Sequence, residues 1–203
     1  MVLATLDLLR GSGLAGAGLN PIVRASGAPK GSVYHFFPAG KNQLVTAALK
    51  EAERALGKWY RDIFNQSAPL SQKVRTLFSA TATWTETGEF TKGCPVSAVT
   101  LDIDGESEEL RTVCRDVFAT FCETIASGLA EVPAAQRREV AQLILAALEG
   151  ALILARARAT KDPLLQTGAL LANTLASAFP RRGDRSGRPR RGGARNDRRR
   201  ARA

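Results

Sequence analysis

Histidine is nearly absent: the 203-residue chain has one, His35. That argues against a His-ligated metal site and leaves imidazole catalysis a single candidate. Cysteine is scarce too. Cys94, Cys114 and Cys122 are too few and too scattered for the disulfide framework of a secreted domain. No uninterrupted apolar run suits a membrane span: the uncharged stretch 164–180 is broken by Gln166, Thr167, Asn173, Thr174 and Ser177. The apolar N-terminus is short and has no basic region before it, so no secretory signal is expected. The length suffices to bury a sizeable core without disulfides or structural metal. These absences together predict a cytoplasmic protein with no metal and no cofactor.

What is present is positive charge, unevenly placed. The formal net charge is +10, from 29 Lys and Arg against 19 Asp and Glu. Residues 1–55 carry six basic and three acidic side chains, residues 56–180 twelve and fourteen, and residues 181–203 eleven and two. The last segment, rich in Arg and Gly, has no large apolar side chain to bury and is expected to be a disordered tail. Without it the chain is close to neutral, so net charge alone is weak evidence for a polyanionic partner.

Apolar residues recur at spacings of three and four, and none alternates with period two over a useful length. This predicts an all-α fold of about nine helices. The first is expected to stop at Gly11 and Gly13. Asn20-Pro21, Pro29, Lys41, Ser71, Pro95, Ser107, Pro133 and Asp162 mark the starts of the others. The last helix has no charge for seventeen residues, which suits burial on two sides, as against a second copy of the chain together with the helix after Pro133.

Two motif matches fail on context. Gly11–Gly16 reads G-x-G-x-x-G, but a helical pattern precedes it and no acid follows about twenty residues on. Asn65-Gln66-Ser67 is a glycosylation sequon in a chain with no evident route to secretion. The stretch 19–41 says more. Two short helices joined by a tight turn at Gly27 make a helix-turn-helix, the second helix small and polar. Gly31 permits close approach of its N-terminus to a phosphate backbone, Lys30 reaches phosphate or guanine, and Ser32, Tyr34 and His35 offer hydrogen bonds. Lys41, opening the next helix, is placed for a flanking phosphate.

The run Gly27-Ala28-Pro29-Lys30-Gly31-Ser32-Val33-Tyr34-His35-Phe36-Phe37, with Gly40-Lys41-Asn42-Gln43-Leu44 after it, resembles the N-terminal signature of TetR-family transcriptional regulators. Downstream, Gly93-Cys94-Pro95-Val96-Ser97-Ala98-Val99 and Ala147-Leu148-Glu149-Gly150-Ala151 resemble the LmrA/YxaF-type branch. The resemblance implies a DNA-binding head at residues 1–45, a ligand-binding and dimerisation body at 46–180, and a homodimer on a pseudo-palindromic operator, usually repressing until a small molecule releases it. Lys30, Gly31, Ser32, Tyr34 and Lys41 carry over onto the pattern. Phe36 stands where the family usually has His, with His35 one place earlier. Ala17-Gly18 stand where a capping Thr or Ser is usual. The chain begins inside the first helix of the pattern, before which the family often has a basic arm.

For the effector, Phe78, Trp84, Phe118, Phe121, Leu148 and Leu152 are the candidate lining of an apolar cavity, and an apolar or aromatic small molecule is expected. Two other function classes stay open at this level. A thiol sensor would use Cys94, Cys114 or Cys122. A helical enzyme would need acid–base groups, of which the chain offers solvated acids such as Asp102, Asp104, Glu108 and Glu109; no catalytic residue is expected. Deleting residues 181–203 should weaken DNA binding and flatten its dependence on salt while leaving the preferred sequence unchanged, as read by binding-site selection at two ionic strengths.

Overall fold

The apolar periodicity folds into nine α-helices among the residues that the computed structural model describes, 1–103 and 107–181, and no strand occurs among them. They are α1 (Val2–Gly16), α2 (Leu19–Ser26), α3 (Lys30–Phe36), α4 (Lys41–Phe64), α5 (Leu70–Thr87), α6 (Pro95–Asp102), α7 (Glu108–Ser127), α8 (Arg137–Arg158, after a 3-10 turn Ala134–Gln136) and α9 (Asp162–Ala178). Asp104 and nearly all of the Arg-rich segment, residues 182–203, lie outside the described residues.

Within the first three helices and the start of α4, Ile22, Val33 and Leu44 are fully buried, while Leu9 of α1 joins the continuous core of the body. Gly27 ends α2 in the left-handed region, φ 66°, which a residue without Cβ adopts at little cost. Helix α4 runs unbroken through residue 45, so head and body share an element. In the body α5 packs on α9, α4 on α7, and α8 on both α7 and α9.

Several helix ends differ from expectation, those in α1 and α5 because distant carboxylates satisfy them. Helix α1 continues past Gly11 and bends at Gly13 (φ 65°, ψ −168°). The turn after the bend restarts on the Asp102 carboxylate, which accepts the Leu14 N–H at 2.7 Å and the Ala15 N–H at 3.4 Å. Helix α2 begins before Asn20, at Leu19, with Gly18 as its cap. Pro21 then falls in the first turn, where a missing N–H costs nothing. Helix α5 starts at Leu70, not after a Ser71 cap, and its Leu70 N–H is bound by Glu131 at 3.2 Å. The Lys73 ammonium, almost fully buried, donates to the carbonyls of Phe64 at 2.6 Å and Gly128 at 3.0 Å, tying the ends of α4 and α7 together.

One helical stretch, Ala134–Arg158, is long and apolar enough to cross a membrane by length and composition. Its inward stripe, Val140, Ile144, Leu148 and Ala155 among others, is buried in the body core. The approach of α9 to α5 is close at Gly168, where an added Cβ would meet Phe78 Cβ at 2.5 Å and Cγ at 2.7 Å. Gly168→Ala should therefore destabilise the fold by about 1–3 kcal/mol through overpacking. Gly11→Ala, with nothing within 4 Å, should stabilise it by up to about 1 kcal/mol through helix propensity. Chemical denaturation of the two variants checks the opposed signs.

Candidate functional site

Helix α3 turns only Val33 fully inward. Lys30, Gly31, Tyr34 and His35 are exposed and Ser32 is half-buried, so five of the six residues expected to meet DNA share one short, solvent-facing helix. Its first N–H groups are bound by no side chain. Tyr34 is 55% and Phe36 62% exposed, and His35 meets Phe36 edge to face at 4.8 Å. The aromatic run Tyr34-His35-Phe36 thus lies largely on the surface. Lys41 begins α4, but its ammonium donates to the Leu14 carbonyl at 2.7 Å, joining α4 to the restarted turn of α1. Two of its three donors remain for a phosphate beside that junction.

The body holds a cavity of about 300 Å³ between α1, α4, α5, α8 and the start of α6. Its walls are Leu56, Trp59 and Tyr60 from α4, Ala80, Thr81 and Trp84 from α5, Leu148, Glu149 and Leu152 from α8, and Arg10, Gly93, Cys94 and Pro95. Of the six residues expected to line a cavity, Trp84, Leu148 and Leu152 are placed here. Phe78 and Phe121 are not: both are fully buried, Phe78 against Gly168 and Phe121 edge-on to Tyr60 at 5.2 Å. Phe118 faces a separate groove between α7 and α8, with Cys122, Arg138 and Gln142. Sequence reasoning missed Trp59 and Leu56, whose spacing matches that of core residues. It also missed Glu149, whose signal was an acid beside the apolar stripe Leu148, Leu152 and Ala155.

Glu149 Oε2 accepts a hydrogen bond from Ser97 Oγ at 2.7 Å. Burial holds its carboxyl above the usual range, opposed by the Ser97 hydroxyl and then the Cys94 thiol. Tyr60 is raised well above its ordinary value, first by burial and then by the negative charge that Cys94, Glu149 and Cys122 can carry. Arg10 sits over the Trp84 ring, its guanidinium carbon 5.9 Å from the centroid.

Comparison with known proteins agrees with this architecture. The family described as transcriptional regulator LmrA/YxaF-like, C-terminal domain, matches residues 71–170. The HTH-type transcriptional regulator YxaF of Bacillus subtilis is 34% identical over 155 residues, covering 75% of this chain and 81% of that one. The chain belongs to the TetR family of transcriptional regulators. LmrA of the same organism is 26% identical over 174 residues, 85% of this chain and 93% of its own. In fold, a TetR regulatory protein from Rhodobacter sphaeroides superposes with a TM-score of 0.75 over 85% of this chain and 95% of that chain, at 20% identity.

In this TetR-family regulator the thiols are poorly placed for redox sensing. No two of them form a disulfide. Burial is the main influence on all three, pushing Cys94, Cys114 and Cys122 up, away from the reactive thiolate. Glu149 adds to the effect at Cys94. An Ellman's-reagent titration at pH 8 should find all three thiols reacting at least tenfold more slowly in the native protein than in denaturant. A native thiol as fast as the denatured ones would restore the redox reading.

Proposed function

We propose that this TetR-family regulator is a homodimeric repressor that holds double-stranded operator DNA with α3 and releases it when a small, largely apolar or aromatic molecule fills the body cavity. The observation that carries the reading is an exposed polar α3 on a head gripped by the helix that borders the cavity. Helix α6 begins at Cys94 and Pro95 on the cavity wall and ends at Asp102 on the backbone of α1. A ligand that moves Ser97 moves Asp102 with it, because eight residues of one helix shift as a unit. The two α3 helices of a dimer must enter successive major grooves about 34 Å apart, so a small change in head angle breaks the match. Effective release requires the ligand to favour the non-binding conformer by a few kcal/mol.

Dimerisation is supported by the large apolar side chains left exposed on α8 and α9: Leu143, Ile153, Leu154, Leu165 and Leu170, the last 70% exposed. Soluble monomers seldom leave so many together.

The test is DNA selected from a random pool, followed by a gel shift. Lys30→Ala and Tyr34→Ala each lie on the exposed face and leave the head core intact. Each should weaken binding by about 1–3 kcal/mol if it meets a base, and the pair should abolish a specific shift. Unchanged binding by the double variant would remove α3 from the interface. Leu154→Glu with Leu170→Glu should shift sedimentation from dimer to monomer.

A further inference from the structure

The effector cavity is aromatic on several sides yet contains a carboxylate with no cationic partner. Glu149 stands among Trp59, Tyr60, Trp84 and Leu152. Ser97 and Cys94 are its bonding partners, and it enters no ion pair among the described residues. Arg10, a cation in the same wall, lies over the face of Trp84. A carboxylate kept among apolar groups is costly unless a counter-charge joins it in the same dry site. Aromatic faces add attraction for that counter-charge when it is an organic cation. An anionic or purely apolar guest would leave Glu149 with its hydrogen bonds from Ser97 and Cys94 but no counter-charge. The volume of about 300 Å³ sits at the small end of ligand sites, roughly 300–1,000 Å³.

We propose that the cavity selects a small organic cation, with an aromatic or aliphatic body between Trp59, Tyr60 and Trp84 and a protonated amine or quaternary ammonium head against Glu149. The proposal rests on the effector reading of the cavity and adds the chemical class of the ligand. Glu149 sets specificity for the charged head, and the apolar walls supply affinity that a neutral molecule of the same shape would share.

Trp59 and Trp84 both line the cavity and are the two tryptophans of the chain, so their fluorescence reports occupancy directly. The purified full chain is titrated with 4-phenylbutylamine, 4-phenylbutanol and 4-phenylbutyrate at neutral pH. The amine should bind at least tenfold more tightly than the alcohol, and the carboxylate most weakly. Glu149→Gln keeps an acceptor for Ser97 while removing the charge. It should bring the amine within about twofold of the alcohol. Equal binding of amine and alcohol in the unmodified protein would overturn the proposal, as would no quenching by any of the three or an amine preference that survives Glu149→Gln. The comparison of probes on the unmodified protein stands even if the variant folds poorly. Release of labelled operator is followed in the same titrations. Selective amine binding with the operator still held would refute ligand-controlled release and leave the ligand class intact.

Discussion

The head is held to the body by a carboxylate at the wrong end of its own helix. Asp102 closes α6, where its charge opposes the partial negative charge of the helix C-terminus. It is tolerated because the positive end of another helical turn meets it: the Leu14 and Ala15 N–H groups, freed by the bend at Gly13. On the other side of that turn the Lys41 ammonium takes the Leu14 carbonyl. A single turn of α1 is thus gripped between an anion from α6 and a cation from α4. Gly13 is required twice over, since its φ is positive and a Cβ there would lie 2.4 Å from Asp102 Oδ2.

The same arrangement makes α6 a connection between two sites. Its start contributes Cys94 and Pro95 to the cavity and Ser97 to the Glu149 carboxylate, while its end is Asp102. At 1.5 Å rise per residue, eight residues span about 12 Å, and a helix this short transmits a displacement with little bending. The head and the cavity wall are therefore both tied to α6 through hydrogen-bonded carboxylates, Glu149 near its start and Asp102 at its end. Both links are polar and strongly directional, so a small rotation of α6 strains both.

Long-range capping also explains which parts of the fold were legible in the sequence. The apolar stripes placed nine helices, and Gly27 announced the turn of the helix-turn-helix, because both signals are local. The ends of α1 and α5 were misread because Asp102 lies 88 residues from Leu14 and Glu131 lies 61 from Leu70. No local pattern announces such partners. The expected Ser71 cap is the converse case: a good capping residue falls inside the helix once Glu131 has taken the Leu70 N–H. Lys73 of α5, on which the sequence pattern is silent, is buried because two helix C-termini offer it carbonyls.

The cavity was half legible for a related reason. A residue lining a cavity and a residue filling a core share the same helical spacing, so periodicity could not separate Trp59 from Ile63 or Trp84 from Phe78. What separates them is whether the facing helix supplies a side chain. Phe78 meets the backbone of α9 at Gly168, where the missing side chain makes room for the ring, and is core. Tyr60 has Phe121 edge-on at 5.2 Å and the cavity among its remaining surroundings, so Phe121 holds a wall it does not itself form. Phe118, 6.4 Å from Phe121, continues that aromatic contact to the second groove, which shares Glu149 with the cavity and is lined on its own side by Ser97. Glu149 is consequently the septum between two openings. An acid beside the apolar stripe of α8 thus lies where the packed core gives way to open space on both sides.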